Sequence, residues 1–282
     1  MRVSAEDFHY VQGLIQHLAA IALEPGKEYL VETRLTPLVE KEGMSTIQEL
    51  VNVLRSSTCP QELKDKVVDA MTTNETSFFR DIHPFDTLRT DIMPDIIKRQ
   101  ADIKTLHIWC AACSTGQEPY TISMVLHEHF PEIVKDWNVQ ILATDISNRV
   151  LSQAESGRFG QLEVNRGLPA IYLIKYFSKD KDGAWVVKDE VRRLIKFEKV
   201  NLIKPWGYLP TFDVIFIRNV LIYFDVDTKR GILNNICRQL HPDGYLFMGT
   251  SESVLHISNV LKPNHVGHST VFRKILAGAE FT

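Results

Sequence analysis

The stretch L-H-I-W-C-A-A-C-S-T-G-Q-E-P-Y, residues 106–120, decides the fold. Residues 106–109 are typical of a buried strand, and the small residues 111–116 follow as a tight loop. Glu118 and Pro119 fit the first turn of a helix, where a carboxylate suits the helix dipole and proline loses no hydrogen bond. This strand, small-residue loop and helix N-terminus predict the kind of site that holds nucleotide-like ligands in an open α/β sheet.

Composition indicates an ordinary soluble globular protein. The 282 residues are 44% hydrophobic and 24% charged, enough to bury a sizeable core. The net charge of -3 disfavours a nucleic acid as partner. Acids, histidines and glutamines interrupt the apolar residues of the segment 1–20, so we expect neither a signal peptide nor membrane insertion. We therefore expect a cytoplasmic protein. Four cysteines do not make a secreted disulfide framework.

Residues 1–72 are predicted to form a separate all-helical domain. Ser4 and Asp7 resemble a capping pair, and the apolar stripe that follows them ends at residues 24–26. Two further helices are expected over residues 27–42 and 60–71. Between them, Ser45 and Gln48 resemble a capping box that opens a helix running through Leu54. No strand pattern appears before residue 104.

Residues 73–282 are predicted to form an α/β domain. A polar junction, residues 72–81, leads to a helical segment over 84–99 with a break at Pro94. Strands are expected at 139–144, 212–217, 245–248 and 270–274, with a helix capped by Ser147 and stopped by Gly157 and another over 227–240. This alternation predicts a parallel, doubly wound sheet.

Residues 160–200 interrupt the alternation. A hairpin pattern over 176–187 contains Asp182-Gly183, and a further extended run covers 194–197. We interpret the segment as a small β-rich insertion. A solvated surface hairpin without a role fits the same residues.

Two cysteines in the opening stretch suggest a dithiol. Cys110 and Cys113 stand at a strand-to-helix junction, as in thioredoxin-like proteins. A thioredoxin-like domain is self-contained, however, whereas this motif opens the first of several parallel units. Zinc is disfavoured because no second ligand pair has matching spacing. Two small cysteines packed in a tight loop explain the pair better, and no metal site is predicted.

Asp145 ends the second strand, where a carboxylate can accept hydrogen bonds from both hydroxyls of a ribose. It could instead only cap the next helix. The loop has one glycine, Gly116, and lacks the G-x-G-x-x-G and G-x-x-x-x-G-K-[ST] phosphate motifs. A ligand with a ribose but no pyrophosphate, such as S-adenosylmethionine (SAM), therefore fits better than NAD or ATP.

Four segments carry a resemblance to a known family. They are residues 74–81 (N-E-T-S-F-F-R-D), 111–120 (A-A-C-S-T-G-Q-E-P-Y), 143–147 (A-T-D-I-S) and 212–224 (F-D-V-I-F-I-R-N-V-L-I-Y-F). In this order, behind a helical domain and around a β insertion, they resemble the CheR family. Its members are SAM-dependent methyltransferases that esterify glutamate side chains on bacterial chemoreceptors.

The resemblance implies a fold, a cofactor and a site. The fold is a Rossmann-like SAM-dependent methyltransferase domain with a small β insertion, preceded by an all-helical domain. The implied products are glutamate methyl esters and S-adenosylhomocysteine. Arg80 and Tyr223 are the implied catalytic residues. With Gly116 from the loop argument, the expected cofactor-binding residues are Asn74, Thr76, Arg80, Gly116, Glu118, Asp145, Asn201, Leu202, Arg218 and Asn219.

The chemistry expected of Arg80 and Tyr223 is modest. A glutamate carboxylate is already ionised at neutral pH, so methyl transfer requires no general base. What remains is in-line positioning of oxygen, methyl and sulfur. We hypothesise that the two side chains orient the incoming carboxylate.

The implied partner is the cytoplasmic helical region of chemoreceptors. The protein itself is expected to be a monomer. Family members carry basic helices facing that acidic region, but residues 1–72 here hold seven basic and eleven acidic residues, a net charge of -4. Arg34 and Lys41 could still make a local basic edge. A receptor C-terminal peptide could add as a strand to the insertion, as in some members. A non-catalytic SAM-binding adaptor of the same fold is the alternative function.

Overall fold

The computed structural model describes residues 1–254 and 257–275. Its helices are α1 (Ala5–Ala19), α2 (Glu28–Lys41), α3 (Ile47–Arg55), α4 (Gln61–Met71), α5 (His83–Thr87), α6 (Met93–Arg99), α7 (Gln117–His129), α8 (Pro131–Asp136), α9 (Asn148–Ser156), α10 (Gln161–Asn165), α11 (Ala170–Tyr176), α12 (Asp189–Arg192) and α13 (Val226–Gln239). Its strands are β1 (Thr105–Ala111), β2 (Asn138–Asp145), β3 (Arg158–Phe159), β4 (Phe177–Lys179), β5 (Trp185–Val187), β6 (Ile195–Lys199), β7 (Phe212–Ile217), β8 (Leu240–Met248), β9 (Leu261–Val266) and β10 (Ser269–Lys274).

Helices α1–α4 pack around a hydrophobic core of their own. Ser4 caps α1 as predicted, accepting a hydrogen bond from the Asp7 backbone N–H at 3.1 Å. The cap predicted for α3 is wrong by one residue. Thr46 accepts the bond from the Glu49 N–H at 3.1 Å, and the Glu49 carboxylate accepts the Ser45 N–H at 2.8 Å. Thr46 is therefore the N-cap, and Glu49, rather than Gln48, supports the start of the helix by accepting the N–H of the residue before that cap.

The main sheet has seven strands in the order β6-β2-β1-β7-β8-β10-β9. The first five strands in that order run parallel, and β10 is antiparallel to both β8 and β9. The strand order reverses direction between β1 and β7. In open α/β sheets, the crevice outside the carboxyl ends of the strands at such a switch point is where ligands bind.

Strand β1 is buried because both faces of the sheet are covered. Leu106, Ile108 and Cys110 pack into one hydrophobic core, which includes residues of α6 and α7. Trp109 and Ala111 point to the opposite face and pack into the core that includes α13. The near-continuous apolar run that marked this strand in the sequence is what a two-sided environment requires.

The insertion is smaller than predicted. Its three-stranded sheet has the order β3-β5-β4, with the expected hairpin between β4 and β5. The extended run 194–197 was wrongly placed in it. Those residues lead into β6, which pairs in parallel with β2 and forms one edge of the main sheet.

Three other local predictions change. The break expected at Pro94 takes the form of a π-helical turn, Leu88–Ile92, which ends just before α6. Strand β8 begins at Leu240, five residues before the start expected at Tyr245. Strand β9 was not predicted. In contrast, Ser147 caps α9 and Gly157 ends it, as expected.

No helix among residues 1–254 and 257–275 combines the length and apolar character needed to cross a membrane.

Candidate functional site

A cavity of about 240 Å³ lies at the switch point, between the carboxyl ends of the parallel strands and the helical domain. Five chain segments of the α/β domain meet there: the junction before α5, the loop after β1, the segment after β6, and the ends of β2 and β7. The helical domain closes it with residues 19–23 and with α2. Lining residues include Ala19, Leu23, Arg34, Asn74, Thr76, Arg80, Ser114, Glu118, Asp145, Asn201, Leu202, Arg218, Asn219 and Tyr223.

The loop after β1 turns tightly beneath this cavity. Ala112 and Ser114 have left-handed backbone conformations, with φ of 61° and 51°. The Ser114 hydroxyl donates to the Asn74 carbonyl at 2.9 Å, which ties the loop to the junction. Gly116 has φ of 93° and begins α7. A Cβ there would lie 3.0 Å from the Ala154 Cβ, so this glycine allows α7 to pack closely on α9.

Gly116 is therefore not among the residues that line the cavity. It was predicted as a cofactor-binding residue because it is the one glycine of the loop. The geometry gives it a packing role in the wall behind the site.

Asp145 lies at the end of β2 and is 6% exposed. One carboxylate oxygen accepts the Ser114 N–H at 2.9 Å and the other accepts the Ser147 N–H at 3.0 Å. Burial raises the pKa of this carboxyl group, and the backbone donors oppose that rise. A carboxylate has about four acceptor sites, more than these backbone donors occupy, and Asp145 lines the cavity, so it can still accept a hydrogen bond from a diol there. Asp145 also supports the turn before α9, the alternative role considered from the sequence, because it accepts the Ser147 N–H.

Arg218 follows β7 and its side chain is 2% exposed. Its guanidinium donates to the Glu118 carboxylate, to the Asp81 carboxylate and to the Arg80 carbonyl, each at 2.9 Å. Burial raises the pKa of Glu118, and Arg218 opposes that rise. Among the described residues, the Arg218 Nε is buried without a hydrogen-bond partner.

Arg80 reaches the cavity from the junction before α5, and Tyr223 reaches it from the segment after β7. Arg80 donates from Nη1 to the Glu75 carbonyl at 2.9 Å, so its position is set within the junction itself. Tyr223 ends the 3₁₀ turn Leu221–Tyr223, and its carbonyl accepts the Ala22 N–H of the helical domain at 3.4 Å. Both side chains line the same space.

Asn201 and Leu202 line the cavity after β6. The Asn201 side chain donates to the Leu18 carbonyl at 2.8 Å and accepts the Ile203 N–H at 3.2 Å. Asn201 therefore joins the two domains at the edge of the site. An ion pair of 2.6 Å between Lys199 and Asp65 adds a second link nearby.

Two residues at the site were missed or misplaced by sequence reasoning. Arg34 was expected on a receptor-facing edge, but it lines the cavity and donates to the Met71 carbonyl and to the Thr73 hydroxyl. Glu252 was not singled out. It accepts the backbone N–H of Asn219 at 2.8 Å, and no sequence motif marks it.

The cysteine pair has the environment of core residues. Cys110 and Cys113 are 0% and 2% exposed and form no disulfide. Burial raises the pKa of both thiols well above the usual value, which opposes thiolate formation. The described residues contain no cluster of ligands suited to a metal ion.

The residues fit a nucleoside that carries a charged amino-acid tail. Asp145 lines the cavity and can accept a hydrogen bond from a ligand there. Arg218 places a buried positive charge in the wall of the cavity. The single-glycine loop makes no phosphate cradle. Together with the sheet order, these features define the class: a Rossmann-like, SAM-binding methyltransferase domain behind an all-helical domain.

Comparison with known proteins identifies the family. Residues 6–72 match the family model of the CheR methyltransferase all-alpha domain, and residues 74–269 match that of the CheR methyltransferase SAM binding domain. The chain belongs to the CheR methyltransferase family.

Relatives match along nearly their whole length. The chain is 41% identical over 256 residues to chemotaxis protein methyltransferase 1 of Pseudomonas aeruginosa, covering 90% of this chain and 92% of the relative. It is 39% identical over 251 residues to chemotaxis protein methyltransferase Cher2 of Pseudomonas putida, covering 88% and 90%.

Proposed function

We propose that this protein transfers the methyl group of SAM to glutamate side chains of chemoreceptors, giving methyl esters and S-adenosylhomocysteine. One observation carries the proposal: a buried ribose-type carboxylate, Asp145, shares a cavity with Arg80 and Tyr223 at the switch point of the sheet. The names of its relatives place them in chemotaxis. We infer that this protein likewise acts in chemotactic adaptation.

The proposed cofactor contacts follow from the lining of the cavity. Asp145 accepts the ribose hydroxyls, and the positive charge of the Arg218 guanidinium attracts the anionic tail of the cofactor. The remaining contacts come from Asn74, Thr76, Arg80, Glu118, Asn201, Leu202 and Asn219. Because α2 and residues 19–23 close the cavity, the helical domain excludes water from the bound cofactor.

The reaction needs an ionised acceptor and an accurate line of attack. A lone pair of the glutamate oxygen forms the new bond to the methyl carbon, and the electron pair of the breaking carbon–sulfur bond returns to sulfur. No proton has to be removed, because a glutamate carboxylate is ionised at neutral pH. Rate enhancement then comes from orientation and from exclusion of water.

Arg80 and Tyr223 supply the orientation. A guanidinium can pair with one oxygen of the incoming carboxylate, and a phenol hydroxyl can donate to it. An arginine that gripped both oxygens would reduce their nucleophilicity, so the proposed role is to orient the acceptor. We expect Tyr223→Phe and Arg80→Ala to lower kcat by about 10- to 100-fold. Methylation at the wild-type rate by both variants, with SAM still bound in calorimetry, would contradict the assignment.

The direct test uses labelled SAM and cytoplasmic fragments of chemoreceptors. We expect label on the receptor that is released by mild base, as a methyl ester is. Replacement of the labelled glutamates by alanine should abolish it. Bound SAM without ester label on any receptor fragment would favour the non-catalytic adaptor instead. An argument against the adaptor is the joint presence of Arg80, Glu118, Asp145 and Tyr223.

The proposed partner surface includes the helical region of the receptor and, separately, the β insertion. Strand β4 is an edge of the three-stranded sheet, and Ser178 and Lys179 on it are exposed. An edge strand can pair with an extended peptide by main-chain hydrogen bonds. Calorimetric titration with receptor C-terminal peptides tests this. We further propose that the enzyme acts as a cytoplasmic monomer.

A further inference from the structure

Glu252 gathers four backbone donors around one carboxylate. Its Oε2 accepts the N–H of Asn219 at 2.8 Å and of Gly249 at 2.7 Å. Its Oε1 accepts the N–H of Val220 at 2.9 Å and of Leu221 at 2.7 Å. Three of these donors are consecutive residues of the turn after β7. The side chain thus fixes that turn from the neighbouring segment after β8.

The turn that Glu252 holds is strained and closely packed. Asn219 has a left-handed backbone with φ of 57°, which costs free energy for any residue other than glycine. Gly249 lies against it, because a Cβ there would be 2.9 Å from the Asn219 N and 2.7 Å from the Glu252 Oε2. Such a conformation persists only where neighbouring groups determine it, and Glu252 is the side chain that does so.

The same turn carries two residues of the proposed site. Asn219 lines the cavity directly. Leu221 begins the 3₁₀ turn that ends at Tyr223, and the Tyr223 N–H donates to the Val220 carbonyl at 3.2 Å. A displacement of residues 219–221 therefore moves Asn219 and Tyr223 together.

We propose that Glu252 is a positioning residue for methyl transfer, which sets Asn219 for cofactor binding and Tyr223 for the acceptor. The Tyr223 half of the proposal rests on the proposed function. The Asn219 half concerns SAM affinity alone and does not depend on which acceptor is methylated.

The four donors require a carboxylate. Each ionised oxygen accepts two N–H groups, so all four donors are satisfied. A glutamine of the same shape offers one oxygen, and its NH₂ group would face two other donors. Glu252→Gln therefore leaves some of the four backbone N–H groups without an acceptor, while the size of the side chain stays the same.

The matched control is Asp225→Ala. Asp225 also caps backbone donors, accepting the Thr228 N–H at 2.8 Å, and it lies two residues after Tyr223. Its bond stabilises α13 and does not contact the turn. A general loss of stability would affect both variants, whereas a loss of positioning would affect only Glu252→Gln.

The experiment measures SAM affinity by calorimetry, kcat for receptor methylation, and the melting temperature. For Glu252→Gln we expect a weaker Kd for SAM by about 3- to 10-fold and a kcat lowered by about 10- to 100-fold, since displacements near 1 Å have effects of this size. Asp225→Ala should lower the melting temperature with Kd and kcat within about twofold of wild type.

A double variant tests the route through Tyr223. In a Tyr223→Phe background, Glu252→Gln should cost less than about threefold further in kcat while its effect on SAM affinity persists, because residues that act as a unit are non-additive. Fully additive losses in kcat, or an unchanged SAM affinity in Glu252→Gln, would overturn the proposal. Absence of methylation by the wild-type protein would instead refute the proposed function and leave the SAM readout decisive.

Discussion

At the scale of single residues, two buried carboxyl groups define how the site responds to pH. Burial raises the pKa of both Asp145 and Glu118. Only an ionised carboxylate can accept hydrogen bonds on all its lone pairs. We expect SAM affinity, measured by calorimetry, to fall as the pH drops from neutral and to do so above the usual carboxyl range.

Asp145→Asn should weaken SAM binding and remove part of this pH dependence. An exposed control, Asp136→Asn, should leave the profile unchanged. A wild-type affinity that stayed constant down to the ordinary pKa of a carboxyl group would contradict the expected direction.

The same shifts affect the stability of the protein without cofactor. Because the folded-state pKa values are raised, the contribution of these two groups is fully present below the ordinary carboxyl pKa. It is lost as the pH rises through the raised values. Cofactor binding and stability of the empty protein therefore have opposite pH preferences at this site.

The cysteine pair gives a second prediction at this scale. Cys110→Ser combined with Cys113→Ala should retain methyl transfer, because neither thiol is an exposed, reactive group. Lost packing should lower the free energy of unfolding by about 1 kcal/mol. A steady-state methylation assay alongside urea unfolding measures both. Loss of activity with unchanged SAM binding would restore a chemical role to the pair.

At the scale of elements, the insertion supports the junction through one glycine. Gly167 lies between α10 and α11 with φ of 88°, and a Cβ there would be 2.1 Å from the Phe78 carbonyl oxygen. Phe78 belongs to the junction that carries Arg80. The turn of the insertion therefore fixes the backbone next to the proposed catalytic arginine.

Gly26 is a matched control for this contact. Its φ is 87°, and a Cβ added there would meet no atom within 4 Å. We expect Gly26→Ala to cost about 1 to 2 kcal/mol from backbone strain alone. Gly167→Ala should cost about 2 kcal/mol more, since backbone must move, and should also lower kcat. Equal losses of stability in urea unfolding, with equal activity, would show that the contact is unimportant.

Elements were predictable where their pattern is local. The buried run of β1, the Ser147 cap and the Gly157 stop depend on neighbours in sequence, and all three were predicted correctly. Strand β6 was assigned to the wrong sheet because its partner, β2, is about fifty residues away. Strand β9 was missed because it is an edge strand containing Pro263 and Asn264, which disfavour strand structure in a sequence pattern.

At the scale of the whole molecule, the charge of the helical domain determines how receptors approach. Residues 1–72 carry a net charge of -4, and Arg34 is engaged inside the site. Long-range attraction of an acidic receptor by this domain is therefore weak. We expect kcat/KM for receptor methylation to change less than about threefold between low and physiological ionic strength. A steep decrease with added salt would contradict this.

The composition of the site was predictable, but its support was not. Ten of the predicted residues line one cavity. Asp145 was expected there from its place at the end of a strand, and the family resemblance implied the others through its matching segments. Gly116 lies behind the wall, since its conformation is required for packing against α9. Glu252 acts through contacts between two loops that are thirty residues apart, and one acid in a polar loop carries no pattern that announces them.

The cavity wall is shared by two bodies, each with its own core. A ligand that touches both is also a tether, and its binding free energy opposes any separation of the domains. Both SAM and its demethylated product would bridge the two domains in this way. Occupancy of the cavity is therefore expected to set how strongly the two domains are held together.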